Sequence, residues 1–384
     1  MENFIYDIPT RVYFGRGQLK HLPDILQNQR ARVLFVYGSG SIVRSGLYDE
    51  VKELLAKAGN CCFDLPGVEP NPSIDTVRAG VQLCYDEAID LILAVGGGSV
   101  IDCAKVIAAG ACVQGDSWEL VIHPEKITRA LPVIAVSTNA ATGSEMDHIA
   151  VITNPQTKEK IGTRHQLLRP VASIMDPTYT FTLSSYQTAC GIADIMSHAM
   201  ESYFVKETAS LQDHIAEGIL KICRDDGLLV LEEPENYEAR ANLMWASAWA
   251  INDMLKLGHM TPWSVHPMEH PLSAYYNVTH GEGLAILTPH WMSYVLSEET
   301  VDKFARFARE IWKVPEQDPW DMARKGIEAL QEFYYKLGLR TSLGELGIDE
   351  RHFTAMAKDA AKQTRYGYVS LDEEDVKAIY KHSL

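Results

Sequence analysis

Asp194 and His198 stand four residues apart, so on a helix they project from one face about one turn from each other and can share one ion. Farther on, His266, His270 and His280 fall within fifteen positions. Asp194 with three imidazoles makes a four-ligand nitrogen and oxygen set, suited to a borderline divalent ion. For the Asp194/His198 pair alone, an ordinary helix-face contact is an equal explanation; the later cluster tips the reading to a metal. None of the seven cysteines falls in the cluster, which disfavours a thiolate-rich structural zinc site.

A second chemistry belongs to two turns, Gly38-Ser39-Gly40-Ser41 and Gly96-Gly97-Gly98-Ser99, each after an apolar run and before a helical pattern. Such turns aim backbone N–H groups at the start of a helix, where the dipole favours phosphate. A plain tight βα turn competes with this, but the chain carries neither of the usual glycine fingerprints that would put a nucleotide elsewhere. After Tyr37 no carboxylate occurs until Asp49. NAD-selective sites set an Asp or Glu against the adenosine ribose, and that charge repels a 2′-phosphate. The small hydroxyls of Ser39 and Ser41, with Arg44 as a candidate charge partner, therefore predict NADPH over NADH.

These residues need a scaffold. Apolar runs at 31–37, 61–65, 90–95 and 132–136 alternate with helical patterns, the signature of a parallel sheet covered on both faces. An antiparallel pair is expected around Asn154-Pro155 and a short strand over 171–175. Beyond Thr182 the pattern turns helical, over 185–204, 208–230, 235–256, 283–297, 299–311, 318–337 and 350–362. The expectation is an α/β dinucleotide-binding domain over 1–180, with a mainly parallel Rossmann-like sheet, and an all-α metal-binding domain over 181–384.

With 384 residues, 46% of them hydrophobic, the chain has the composition of a folded globular protein, and no run approaches the ~20 apolar residues that span a bilayer. A formal charge of −16 argues against nucleic acid as a partner. Irregularly spaced cysteines read as reduced thiols, and MENFIYDIPT lacks the basic start and apolar run of a signal peptide, which points to the cytoplasm.

The stretch GGGSVIDCAK at 96–105, TGSE at 142–145, the Asp194/His198 pair, HPMEHPL from His266 and HGEG from His280 resemble the iron-containing alcohol dehydrogenase superfamily, nearest its NADPH-dependent butanol dehydrogenase and aldehyde reductase branch. The resemblance extends over FGRG at 14–17, PNP at 70–72 and DPTYTFTL at 176–183. It implies Asp194, His198, His266 and His280 as ligands of one divalent ion, Fe²⁺ favoured and Zn²⁺ or another transition metal accepted, with His270 beside them. It implies Gly97, Gly98, Ser99 and Asp102 at the pyrophosphate and nicotinamide end, and Asn71, Thr138, Lys160, Tyr179 and Leu183 along the nucleotide, joined by Gly38, Ser39 and Ser41 from the first turn. It further implies a homodimer with its active site in the cleft between the domains.

The chemistry suits these residue types: a cation stabilises the charge that hydride transfer develops on an aldehyde oxygen, and His270 is placed to relay the proton. The expected partner is a small aldehyde or alcohol such as butanal or butanol. The alternative is a metal-dependent lyase or cyclase related to dehydroquinate synthase, whose polyanionic substrate would demand several cations. The segment 244–295 holds only Lys256 besides its histidines, so the apolar aldehyde is the better fit.

Overall fold

A computed structural model describes residues 1–26, 30–207 and 209–384. They form two compact units, Asp7–Leu183 and a second that joins Ser184–Leu384 with Met1–Tyr6. The expected 1–180 domain thus has its first six residues elsewhere: the Glu2 N–H donates to the Gly258 carbonyl at 2.8 Å within the helical unit.

In the first unit the elements run β1 (Arg11–Phe14), α1 (Leu22–Leu26), β2 (Arg32–Tyr37), α2 (Ser41–Arg44), α3 (Leu47–Lys57), β3 (Cys61–Leu65), α4 (Ile74–Asp86), β4 (Leu91–Gly96), α5 (Gly98–Gly110), α6 (Ser117–Ile122), β5 (Val133–Ser137), β6 (Ile149–Asn154), β7 (Glu159–Arg164) and β8 (Ala172–Met175). Six strands pair in parallel in the order β1-β8-β5-β4-β2-β3, and β6-β7 is a separate antiparallel hairpin. The inner strands β2, β4, β5 and β8 are buried on both faces, and the two-residue period of a strand divides their side chains between two cores. Leu34, Val36, Ile92 and Ala94 pack with α4 and α5, while Val33, Phe35, Leu93 and Val95 pack with α1 and α3. From β2 the chain runs outward to β3, then returns to β4 and on to β5, so the order switches between β2 and β4. In open α/β sheets a ligand crevice lies at that switch, outside the carboxyl ends of the strands.

The expected strands all form, within a residue or so of the bounds read from the sequence. The edge strand β1 escapes that reading because it is four residues long, with both ends exposed.

Every helix of the second unit follows Leu183: α7 (Ser185–Tyr203), α8 (Ser210–Glu232), α9 (Tyr237–Ile251), α10 (His266–Tyr276), α11 (His280–Val295), α12 (Val301–Phe307), α13 (Pro319–Lys336), α14 (Phe353–Thr364) and α15 (Glu373–His382). Thr208, where the expected 208–230 segment begins, lies outside the described residues. Buried along most of its length, α7 is covered by α8, α9 and α11. Among the described residues, no helix is long and apolar enough to cross a membrane.

Candidate functional site

On α7, the i, i+4 spacing sets Asp194 and His198 on one face, both more than nine-tenths buried. His266 is the first residue of α10 and His280 the first of α11, so two helix starts deliver the other imidazoles. Their Nε2 atoms converge on one oxygen: Asp194 Oδ1 lies 3.5 Å from His198, 3.9 Å from His266 and 3.7 Å from His280. Metal bonds of about 2.1 Å in a tetrahedron put neighbouring ligand atoms roughly 3.4 Å apart, close to these distances from Asp194; the donor atoms of Asp194, His198 and His266 all lie within 4.8 Å of one another, while His280 groups with Glu269 and His270. Burial pushes the His198 imidazolium well below the usual histidine range, which leaves that ring neutral and able to donate a lone pair. Three imidazoles and a carboxylate are a fitting donor set for Fe²⁺ or Zn²⁺.

His270, one turn along α10 from His266, has its ring 5.7 Å from that of His280 and 6.3 Å from that of His266. It forms a second close group with His280 and Glu269. Trp263 meets His266 edge-on at 4.6 Å and His198 at 6.0 Å, giving the imidazoles an apolar wall.

Two glycines of HGEG make this approach possible. A Cβ on Gly281 would lie 2.6 Å from the Cys190 carbonyl carbon and closer still to its oxygen, so α11 meets the α7 backbone with no room for a side chain. On Gly283 a Cβ would lie 2.9 Å from Glu269 Cγ. Behind the imidazoles stand two carboxylates that the sequence reading missed. Glu201, one turn past His198, lies 3.1 Å from His266 Nδ1 and accepts from the Ser264, Val265 and His266 N–H groups at 2.7, 2.8 and 2.9 Å. Burial pushes its carboxyl up to about 7 while those N–H donors pull it down. Glu269, wholly buried, meets His280 Nδ1 with one oxygen and the Ser273 hydroxyl with the other. Their signal in the sequence was helical spacing, three residues from His198 and three from His266.

In the first unit, Gly38, Gly97 and Thr138 follow the carboxyl ends of the adjacent strands β2, β4 and β5, and Tyr179 follows β8. Gly38 and Gly97 thus lie at the topological switch between β2 and β4, with Thr138 after the next strand. Ser39 and Ser41 flank Gly40, whose φ of +117° turns the chain into α2. Val100 N–H donates to the Gly97 carbonyl at 3.0 Å as the first helical bond of α5, so Gly98 and Ser99 carry the N–H groups that precede it. Packing also restricts the glycines of this turn. A Cβ on Gly96 would lie 2.6 Å from Val100 Cγ2, and one on Gly98 would lie 2.6 Å from Thr142 Cγ2, so packing alone demands both. Among the described residues, a Cβ on Gly97 would meet nothing closer than Asn139 Cβ at 3.4 Å.

Side chains of two expected cofactor residues are spent inside the protein. The Ser99 hydroxyl donates to the Pro70 carbonyl beside Asn71. Asp102 accepts from Ser144 Oγ at 2.5 Å and Val151 N at 2.8 Å, tying TGSE and β6 to α5. Lys105, fully buried, completes that network with Asp147 at 2.5 Å, Ser144 at 2.8 Å and the Ile149 carbonyl at 2.7 Å. Lys160 sits off the main sheet, on β7 opposite Thr153, and Leu183 closes the unit with its N–H on the Thr180 carbonyl at 3.2 Å.

The chain thus joins a parallel α/β unit with glycine turns at its helix starts to a helical unit in which three histidines converge on an aspartate, the arrangement of a two-unit α/β and all-α protein. Residues 9–177 match the family model described as iron-containing alcohol dehydrogenase, and residues 188–384 match that family's C-terminal model. The chain belongs to the iron-containing alcohol dehydrogenase family. It is 48% identical to NADH-dependent butanol dehydrogenase A of Clostridium acetobutylicum over the full length of both chains. It is 35% identical to an NADPH-dependent aldehyde reductase of Escherichia coli, covering 97% of this chain and 96% of that one. The crystal structure of NADH-dependent butanol dehydrogenase A from Thermotoga maritima superposes with a TM-score of 0.94 at 38% identity, covering 100% of this chain and 99% of the other.

Proposed function

We propose that this alcohol dehydrogenase transfers hydride between NADP(H) and a primary alcohol or aldehyde such as butanol or butanal, with one divalent ion held by Asp194, His198, His266 and His280. The observation that carries the reading is the convergence of three imidazole Nε2 atoms on Asp194 Oδ1 within 3.5–3.9 Å. Fe²⁺ is the favoured ion, in keeping with the family's description, and Zn²⁺ or another transition metal suits the same donors. When bound there, the ion supplies a Lewis acid for the carbonyl oxygen of the aldehyde. His270 relays the proton that the alkoxide needs. The dinucleotide belongs to residues 1–180, held through Gly38, Ser39, Ser41, Asn71, Gly97, Gly98, Ser99, Asp102, Thr138, Lys160, Tyr179 and Leu183, with Ser99 offering its backbone and Asp102 acting through the loop it ties down. The metal belongs to residues 181–384. A cytoplasmic homodimer completes the reading.

NADPH is the proposed cofactor because the turn after β2 bears hydroxyls and no carboxylate, while the carboxylate at the next strand, Asp64, is engaged by Tyr48 at 2.9 Å and Lys52 at 3.3 Å. A second reading, NADH, is favoured by the names of the butanol dehydrogenases at 48% identity. Initial rates of butanal reduction with each cofactor decide between them. A higher kcat/KM with NADPH supports the first reading, and a higher value with NADH replaces it. No turnover of any primary aldehyde with either cofactor would overturn the activity itself.

A further inference from the structure

Two of the three converging imidazoles are backed by a buried carboxylate on the ring nitrogen that faces away from Asp194. His266 Nδ1 lies 3.1 Å from Glu201 Oε1, and His280 Nδ1 lies against Glu269 Oε2. A carboxylate accepts and cannot donate, so it holds the proton on Nδ1 and leaves the Nε2 lone pair directed at the aspartate oxygen. His198 differs: its Nδ1 is buried without a hydrogen-bond partner among the described residues.

The carboxylates are themselves held. Glu201 reaches from α7 to cap the start of α10, where Val265 supplies no side-chain cap, and the N–H groups of Ser264, Val265 and His266 fix its two oxygens. Glu269 is fixed by the Ser273 hydroxyl in the next turn of α10 and has its space kept open by Gly283. One residue therefore locks the entry of α10 and the other locks α10 to the entry of α11, and these entries carry the two histidines. A role in folding alone would not require either carboxylate to end on an imidazole nitrogen.

We infer that Glu201 and Glu269 are positioning residues, which fix the tautomer and orientation of His266 and His280 and raise their affinity for a divalent ion. The inference rests on the metal reading proposed above. Carboxylates in this place contribute about 10–100-fold to metal affinity in general. Gln at position 269 keeps an oxygen for His280 Nδ1 and offers an N–H to Ser273, which can then give its proton wholly to the Val278 carbonyl, 2.9 Å away. Glu269→Gln is thus the conservative variant that retains orientation without charge, and Glu269→Ala removes both.

The test is Co²⁺ binding to the full chain, measured by competition with a chromophoric chelator, with the visible absorption of the bound ion recorded alongside. Glu269→Ala and Glu201→Ala are expected to bind Co²⁺ about 10–100-fold more weakly than the wild type, with altered visible bands. Glu269→Gln should recover most of the affinity, and NADPH binding by fluorescence should not change in any variant. Unchanged Co²⁺ affinity and spectra in folded Glu269→Ala and Glu201→Ala would overturn the inference, as would a Glu269→Gln variant no better than the alanine. If Glu201→Ala does not fold, the Glu269 pair decides. A wild type that binds no Co²⁺, or an Asp194→Ala variant that binds it equally well, would instead reject the metal reading on which this rests.

Discussion

Gly281→Ala adds one methyl group, yet it should detach a metal ligand that it does not itself alter. The new Cβ would stand 2.6 Å from the carbonyl carbon of Cys190, whereas carbon atoms pack at about 3.5–4.0 Å. Cys190 lies within α7, whose hydrogen-bonded and buried backbone cannot yield cheaply, so α11 must retreat by about 1 Å. His280 precedes the substituted residue and travels with it. Its Nε2 now lies 3.7 Å from Asp194 Oδ1 and would move to about 4.7 Å. One ion with bonds of about 2.1 Å spans at most about 4.2 Å between two ligands, so His280 drops out of the set. We expect at least a tenfold loss in metal affinity, by analogy with losing a ligand, together with about 1–3 kcal/mol of destabilisation from overpacking. Metal content after dialysis, chelator competition and thermal unfolding measure both. Gly218→Ala on α8 is the control, since a Cβ there meets nothing within 4 Å among the described residues. A folded Gly281→Ala enzyme with wild-type metal affinity would refute the claim that this helix contact sets the ligand spacing.

Ser39→Asp should weaken NADPH binding by roughly tenfold or more relative to NADH, through repulsion of the 2′-phosphate; equal effects on both cofactors in a fluorescence titration would remove Ser39 from that site. His270→Ala should keep the metal and lose about 10²-fold in rate, with the pH–rate profile altered; an unchanged profile counts against a relay. Burial raises the Glu145 carboxyl to about 7, with Asp147 adding to the rise and Lys105 and Ser137 opposing it. Its folded value exceeds the ordinary 4.5, so the folded state binds the extra proton and this contribution to stability is full below about 4.5 and lost as pH rises through about 7. Glu145→Gln should flatten the melting temperature across that window, and an undiminished slope would disprove the assignment.

The parallel strands were legible because β2, β4 and β5 are short apolar runs ended by glycine or serine turns, and a buried strand leaves few other options for such a run. The helix that carries His266 and His270 was not: α10 has Pro267 in its first turn and Pro271 inside it, and both read as breaks. Proline is accepted at the start, where the N–H has no helical partner in any case, and Glu201 from another helix supplies the cap that the local sequence lacks. The converging histidines were visible as residue types that seldom cluster. Glu201 and Glu269 were not, since their meaning depends on which imidazole nitrogen each meets, and that is fixed by tertiary packing. The packing demand on Gly96 and Gly98 was not legible either, because the side chains of Val100 and Thr142 that exclude a Cβ meet them only in the folded unit.

The central claim is that one divalent ion at Asp194, His198, His266 and His280 is required for hydride transfer. It is met most directly by titrating chelated, folded enzyme with Fe²⁺ under anaerobic conditions and following butanal-dependent oxidation of NADPH, or of NADH if that cofactor proves the better. Activity should begin near zero, rise linearly and break at one equivalent per chain, and an Asp194→Ala variant should stay at the baseline. Full activity in the chelated enzyme, or a break at two equivalents, would contradict the account.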